Sequence, residues 1–427
     1  MASNEQILPS PTLNLLVSLG LTWTKSQKTA YLETIRTITL PRLNVIQASA
    51  VENRVINEPY LHRDDFLTET PAAKLSWDAY WEETYLRKPT ARALRQNVIR
   101  CHPHQWKYII QPNESVIIRD EHTNKIVLIV LRDLVPHQSL ASAMEDVCVE
   151  LATKCPFERQ DDPGTLVHFA YTCGSRQNFQ IQLATPKRGP NMGPNYELQS
   201  KAQGVAGLLW NMLRCRLPDE IIDDFNDTVH RHHLPRMDMM KAPDTSFAFE
   251  IGSRNVRFPT GTGADFELPP PSGLISYNYA RYTHNEVNAN NWVIGYTTHA
   301  PDDHTKGGNF YLAQYGVLLL PASNTAWSWQ PTDHHGTTLF EMTDIGENDS
   351  IGCSERRLDG QYNVGLLFEI SKALPTARFN TSWLPEMPRT PSPSRLKLQT
   401  NPKAVKARRA KPKTVYARVS NEMCKKT

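Results

Sequence analysis

The chain has 427 residues, of which 40 % are hydrophobic and 9 % aromatic, with a formal net charge of +3: the composition of a soluble globular protein with room for two or three domains. No run of about 18 apolar residues is present, and Met1–Leu19 lacks a basic segment followed by an apolar block, so neither a membrane span nor a secretory leader is expected. Seven scattered cysteines without a C-x-x-C pair argue against a disulfide framework or a structural zinc site, and read as reduced, mostly buried thiols.

Along the first half, Ser26–Arg36 reads as an amphipathic helix. The apolar runs Ser115–Arg119 and Lys125–Leu131 flank Glu121-His-Thr-Asn124 in the pattern of a β-hairpin. Pro218–His233 reads as a second helix, because proline and acids suit its first turn. Residues 1–217 are expected to form an α+β region whose role the sequence leaves open.

After about residue 245 short β-type runs recur between Gly, Pro, Asn and Asp residues. They are Phe247–Ile251, Leu274–Tyr279, Trp292–Tyr296, Asn309–Leu312, Gly316–Leu320, Thr325–Trp329 and Asn363–Ile370. This density of strands predicts a jelly-roll sandwich or barrel, placed at 218–380. The Pro-rich, basic remainder, 381–427, is expected to be disordered, since it holds almost no large apolar residues to offset ordering entropy.

Charge is divided along the chain. Residues 389–427 hold 12 Lys or Arg and one acid, whereas residues 1–388 hold 35 basic and 43 acidic residues. The +3 is therefore an acidic body of −8 joined to a tail of +11. Within the tail Lys403, Lys406, Arg408, Arg409, Lys411 and Lys413 form a patch suited to nuclear localisation or to nucleic-acid phosphates. A nuclear location follows as the expectation, with the cytoplasm as the alternative. Arg87, Lys88, Arg92, Arg95 and Arg100 have helical spacing and read as a solvated face.

Two features near strand ends could carry metal chemistry: His284-Asn-Glu286 and His334-His335-Gly336-Thr337. Two histidines and a carboxylate on one face of an octahedron leave positions open for substrate and oxygen. His-x-Glu on an extended segment points both side chains to one face, because the strand period is two. The second histidine would come from a facing strand, at His335. His62-Arg-Asp64 matches the same spacing but lacks flanking strands and reads as surface, and His230-Arg-His232-His233 reads as a helix C-terminus.

Three ordered blocks extend this pattern: Tyr277-Asn-Tyr-Ala-Arg281-Tyr-Thr-His284-Asn-Glu286, Gly307-Gly308-Asn-Phe-Tyr311 with Tyr315-Gly316-Val317, and Trp329-Gln-Pro-Thr-Asp-His-His335-Gly336-Thr337. Over about residues 218–375 they resemble the core of fungal Fe(II)/2-oxoglutarate dioxygenases related to the TET/JBP nucleic-acid oxygenases. The resemblance implies a double-stranded β-helix in which His284, Glu286 and His335 bind Fe(II) and act catalytically. It also implies oxidation of a methylated base, TET/JBP-like 5-methylcytosine oxidation, with decarboxylation of 2-oxoglutarate. DNA would be the partner, reached through the basic tail and local basic patches.

Two departures stand out. Relatives commonly have aspartate where Glu286 stands, and they place an arginine for the 2-oxoglutarate carboxylate where this chain has Asn363. Arg281, Arg356 or Arg357 would then supply the cation, with Asn278 and Asn363 beside it in the cosubstrate site. Trp292, Trp329 and Asp333, with Tyr282 and Trp327 nearby, are the candidates for a substrate pocket. The alternative readings are a degenerate β-helix protein acting as a nucleic-acid-binding or scaffold protein, and an oxygenase of RNA, protein or a small molecule.

Overall fold

Capping chemistry begins the first helix. The computed structural model describes residues 19–43, 106–154, 162, 164–173, 180–184, 196–237, 246–251, 254–260, 266–304, 307–338 and 362–379. In it Thr24 opens α1 (Lys25–Thr34): its hydroxyl accepts the Gln27 amide at 3.3 Å while the Gln27 side chain accepts the Thr24 amide at 2.8 Å. The reciprocal box satisfies donors that a first helical turn leaves over. The expected helix ends two residues early, because the β-branched run Thr37-Ile-Thr39 favours extended backbone and forms β1 (Arg36–Leu40).

The expected hairpin is present. After β2 (Tyr108–Ile110), strands β3 (Val116–Asp120) and β4 (Ile126–Leu131) pair antiparallel, with Ile118 opposite Leu128. The Asp120 carboxylate accepts the amides of His122 at 3.1 Å and Thr123 at 2.7 Å, and Asn124 takes the left-handed φ of 56° that closes the turn.

Helix α2 (Gln138–Lys154), β5 (Thr165–Thr172), β6 (Gln180–Leu183), α3 (Tyr196–Arg214) and α4 (Asp219–Arg231) follow. Helix α4 is the one expected at Pro218–His233, with Pro218 as N-cap, Asp219 and Glu220 in its first turn and His230 and Arg231 in its last. Lys28 of α1 reaches it, donating to Asp219 Oδ1 at 2.6 Å and to the Arg214 carbonyl at 2.9 Å.

The β-rich half holds β7 (Ser246–Ile251), β8 (Arg254–Pro259), β9 (Ser272–Tyr277), β10 (Arg281–His284), β11 (Val293–His299) and β12 (Phe310–Leu312). It continues with β13 (Val317–Leu319), β14 (Thr325–Trp329), β15 (His335–Thr337), β16 (Val364–Phe368) and β17 (Arg378–Phe379). Each of the seven runs read from the sequence is a strand, six of them with shifted ends and Thr325–Trp329 with its bounds unchanged.

Two sheets carry the architecture, beside the β7–β8 ribbon. The larger runs β1-β3-β4-β14-β11-β16-β9-β5-β6-β17 and the smaller β10-β15-β12-β13-β2. Strands from residues 36–183 are thus hydrogen-bonded among those of the β-rich half, and all described residues fall in one unit, Met1–Pro385. The fold is an α+β jelly roll.

Alternation along β4 defines three layers. Ile129 and Leu131 point to a core shared with α2, α3 and α4, while Leu128 and Val130 point to a second core with Phe310, Leu312, Val317 and Leu319 of the smaller sheet. Strands buried on both faces read as continuous apolar runs, which explains Ile126–Leu131. No described helix is long and apolar enough to cross a membrane. His62, Asp64, the basic run Arg87–Arg100, Arg356, Arg357, the tail patch Lys403–Lys413 and the Tyr282 side chain lie outside the described residues.

Candidate metal centre

The smaller sheet brings the two histidines together. Strands β10 and β15 are antiparallel neighbours with His284 directly opposite His335, and a register shift separates this pair from Arg281–Thr337. The imidazole centroids are 4.4 Å apart. Glu286 follows on the same face of the chain, its amide fixed on the Pro331 carbonyl at 2.8 Å.

The ligating atoms of His284, Glu286 and His335 all lie within 4.8 Å of one another. Bonds near 2.1 Å would require such donors to draw in to about 3 Å. The three side chains form a group of the kind that can hold a metal ion.

Its donors suit a divalent ion with positions left open. His335 is only 4 % exposed, and its Nδ1 lies 2.8 Å from the main-chain oxygen of Asp333. Because a carbonyl only accepts, Nδ1 carries the proton and Nε2 presents its lone pair to the triad. His334, by contrast, hydrogen-bonds Gln314 Oε1 at 3.0 Å, so alternation resolves the two adjacent histidines in favour of His335. Gly336 lets β15 sit close: a Cβ there would meet Tyr311 Oη at 2.2 Å and the Arg281 carbonyl at 2.9 Å.

The triad lines a cavity of about 120 Å³ between the sheets. Trp329 stands edge-on to His335 at 5.4 Å and packs on Phe310 at 4.8 Å, with Trp327 stacked behind it at 6.2 Å. Trp329 and Trp327 therefore face the cavity, as does Gly308, whose φ of 70° is open to glycine.

Other candidates fall elsewhere. Trp292, 5 % exposed, belongs to the helix-side core, because it is out of phase with the cavity-facing Val293 and Thr297 of β11. Asp333, 2 % exposed, does not line the cavity: its carboxylate pairs with Arg42 at 2.6 Å. Burial pushes the Asp333 carboxyl up and Arg42 opposes it. Its place in the substrate pocket is corrected to one beside the metal centre.

Asn278 also stays out of the cavity; its φ is 46° and its Oδ1 accepts the Asn363 amide at 2.7 Å, so it braces the start of β16. Asn363 itself lines the cavity. So does Arg281, with its Nε 3.8 Å from Asp162 Oδ2, where Tyr279 Oη also donates at 2.5 Å. A second cavity arginine, Arg132, escaped the sequence reading. It follows Leu128 and Val130 at the spacing of two that should point it inward.

No protein-family model matches the chain, and no curated protein does. Among solved structures, NgTET1 in complex with 5mC DNA aligns at a TM-score of 0.39 and 8 % identity, over 73 % of this chain and 95 % of that one. OsALKBH1 aligns at 0.27 and 10 %, over 57 % and 96 %. An oxidoreductase of the 2OG-Fe(II) oxygenase family from Burkholderia pseudomallei aligns at 0.25 and 9 %, over 54 % and 90 %. These likenesses are too distant to assign an activity, which rests on the chemistry of the triad and its cavity.

Proposed function

We propose that the chain is an Fe(II)/2-oxoglutarate-dependent dioxygenase that oxidises methylated bases in nucleic acid, with 5-methylcytosine in DNA as the leading substrate. The observation that carries the oxygenase reading is the His284, Glu286, His335 triad opening onto an aromatic-lined cavity. The substrate reading rests on the sequence resemblance and on the basic tail.

Bound at the triad, Fe(II) with 2-oxoglutarate would supply oxygen activation coupled to decarboxylation of the cosubstrate to succinate. The residues do the positioning. His284 and His335 donate neutral nitrogens, Glu286 contributes the compensating charge, and the Asp333 carbonyl fixes the His335 tautomer. Phe310, Trp327 and Trp329 wall the cavity against water. A target base would be turned out of its stack and held among such aromatic faces. Lys403, Lys406, Arg408, Arg409, Lys411 and Lys413 would supply phosphate attraction and a nuclear address.

The test is incubation of the full chain with Fe(II), 2-oxoglutarate and methylated duplex DNA, followed by mass spectrometry of nucleosides and succinate. Oxidised base with matching succinate is expected. Absence of both from folded protein would overturn the reading. One observation favours a second reading, a degenerate binding protein: Asn363 offers no cation for a carboxylate where an arginine would serve.

A further inference from the structure

The cavity asks where an acidic cosubstrate would find its positive partner. The register of the larger sheet answers in terms of rows. Ala326 pairs with Leu131, which sets Thr325 opposite Arg132; Thr325 pairs with Thr297, and Thr297 with Gly365. Arg132, Thr325, Thr297 and Gly365 thus form one row across β4, β14, β11 and β16, three strand spacings or about 14 Å wide. Asn363 lies just beyond Gly365 at the same end of the sheet, and Arg132, Thr325, Thr297 and Asn363 all line the cavity.

Arg132 is built into this position. It is 6 % exposed, and Nη1 donates to Thr325 Oγ1 at 3.0 Å, Nη2 to the Gln111 carbonyl at 2.8 Å and the Leu320 carbonyl at 2.9 Å, and Nε to the Glu114 carbonyl at 3.3 Å. A guanidinium has five N–H donors, so one Nη1 N–H remains. Every partner is a neutral oxygen, and Arg132 enters no ion pair among the described residues; the Glu114 carboxylate is taken up by Arg36 at 3.1 Å and by Tyr108. Burial draws its pKa down to about 10 against the opposing charges of Glu114 and Asp133, neither of which hydrogen-bonds it through a carboxylate, so the charge persists at neutral pH. A buried cation pinned by neutral groups is stabilised by an anion entering its cavity. Arg281 is differently placed: it lies on the triad's own strand and has Asp162 beside it.

Resting on the proposed dioxygenase reading, we infer that Arg132, steadied by Thr325 and joined by the Thr297 hydroxyl, anchors the distal carboxylate of 2-oxoglutarate, taking over the task that Asn363, just before β16, cannot perform. The cation would reach the cosubstrate from β4, across the sheet from the position the resemblance predicts.

The experiment is calorimetric titration of the Mn(II)-loaded full chain with 2-oxoglutarate and with 2-oxopentanoate, which lacks the distal carboxylate. Parent protein should prefer 2-oxoglutarate. Arg132→Gln should lose roughly 10- to 100-fold in 2-oxoglutarate affinity while keeping Mn(II) and 2-oxopentanoate binding, and Arg132→Lys should retain part of the preference. A preference lost in Arg281→Gln but kept in Arg132→Gln would give the anchor to Arg281 and overturn the assignment. Equal binding of the two acids by the parent, or a preference unmoved in Arg132→Lys and Arg132→Gln, would overturn the assignment while leaving the dioxygenase reading standing. Failure of the Mn(II)-loaded parent to bind either acid would overturn both.

Discussion

His335 Nδ1 and the Asp333 main-chain oxygen are 2.8 Å apart, and this contact decides which nitrogen of the imidazole the triad receives. Asp333 is held in turn by its amide on the Gln330 carbonyl at 3.0 Å and by its carboxylate on Arg42 at 2.6 Å. A metal ligand is only as well aimed as the group behind it.

Arg42→Met should therefore act at a distance of two residues from the ligand. It leaves a buried carboxylate without its cation, and because Arg42 is half-exposed the expected cost is about 1–2 kcal/mol in urea unfolding. Mn(II) affinity, read by calorimetry, should fall by roughly threefold to tenfold as the Asp333 carbonyl loosens.

Gly336→Ala should be more damaging than its one methyl suggests. The added Cβ would overlap the Tyr311 phenolic oxygen and crowd the Arg281 carbonyl on the neighbouring strands. Overpacking of this kind costs about 1–3 kcal/mol. Displacement of β15 should also lower metal affinity, which the same titration measures against a Gly207→Ala control, where the added Cβ meets Phe247 of the helix-side core instead.

Trp329 gives the site an optical reporter. Its ring is 5.4 Å from His335. Titration with Co(II) should quench part of the tryptophan fluorescence with a single-site isotherm, and Trp329→Phe should remove most of that quench without changing the stoichiometry. A quench unaltered in the variant would place the bound ion elsewhere.

Lys28 and Asp219 tie α1 to the start of α4. The Lys28 hydrogen bond is the main cause of a lowered Asp219 pKa. The stabilisation is present above the ordinary carboxylate pKa and is lost as pH falls through the depressed value. Lys28→Met should cost about 1 kcal/mol or less near neutrality, since Asp219 is half-exposed, and the difference should begin to shrink below about pH 4 and vanish below the depressed Asp219 pKa in thermal unfolding.

Local signals read well from sequence where one residue dictates one geometry. The Asp120 to Asn124 turn, the Pro218-Asp-Glu helix start and the His284-x-Glu286 spacing each have a physical cause confined to a few residues. Facing is harder. Strand β11 is buried on both sides, so no polar alternation marks which of Trp292 or Val293 looks into the cavity. The placement of β1 to β6 beside the later strands depends on pairings over 100 residues apart, such as Ala326 with Leu131, which leave no local trace. Arg132 had a faint one: an arginine ending an apolar strand in phase with Leu128 and Val130.

The central claim is that three side chains hold one catalytic metal, and direct metal titration tests it. Calorimetry of the apo chain with Mn(II) should give one site per chain, with binding abolished in His284→Ala and in His335→Ala and weakened at least 100-fold in Glu286→Gln, all three variants keeping the parent circular dichroism spectrum. One-to-one binding that survives in the two histidine variants would contradict the account.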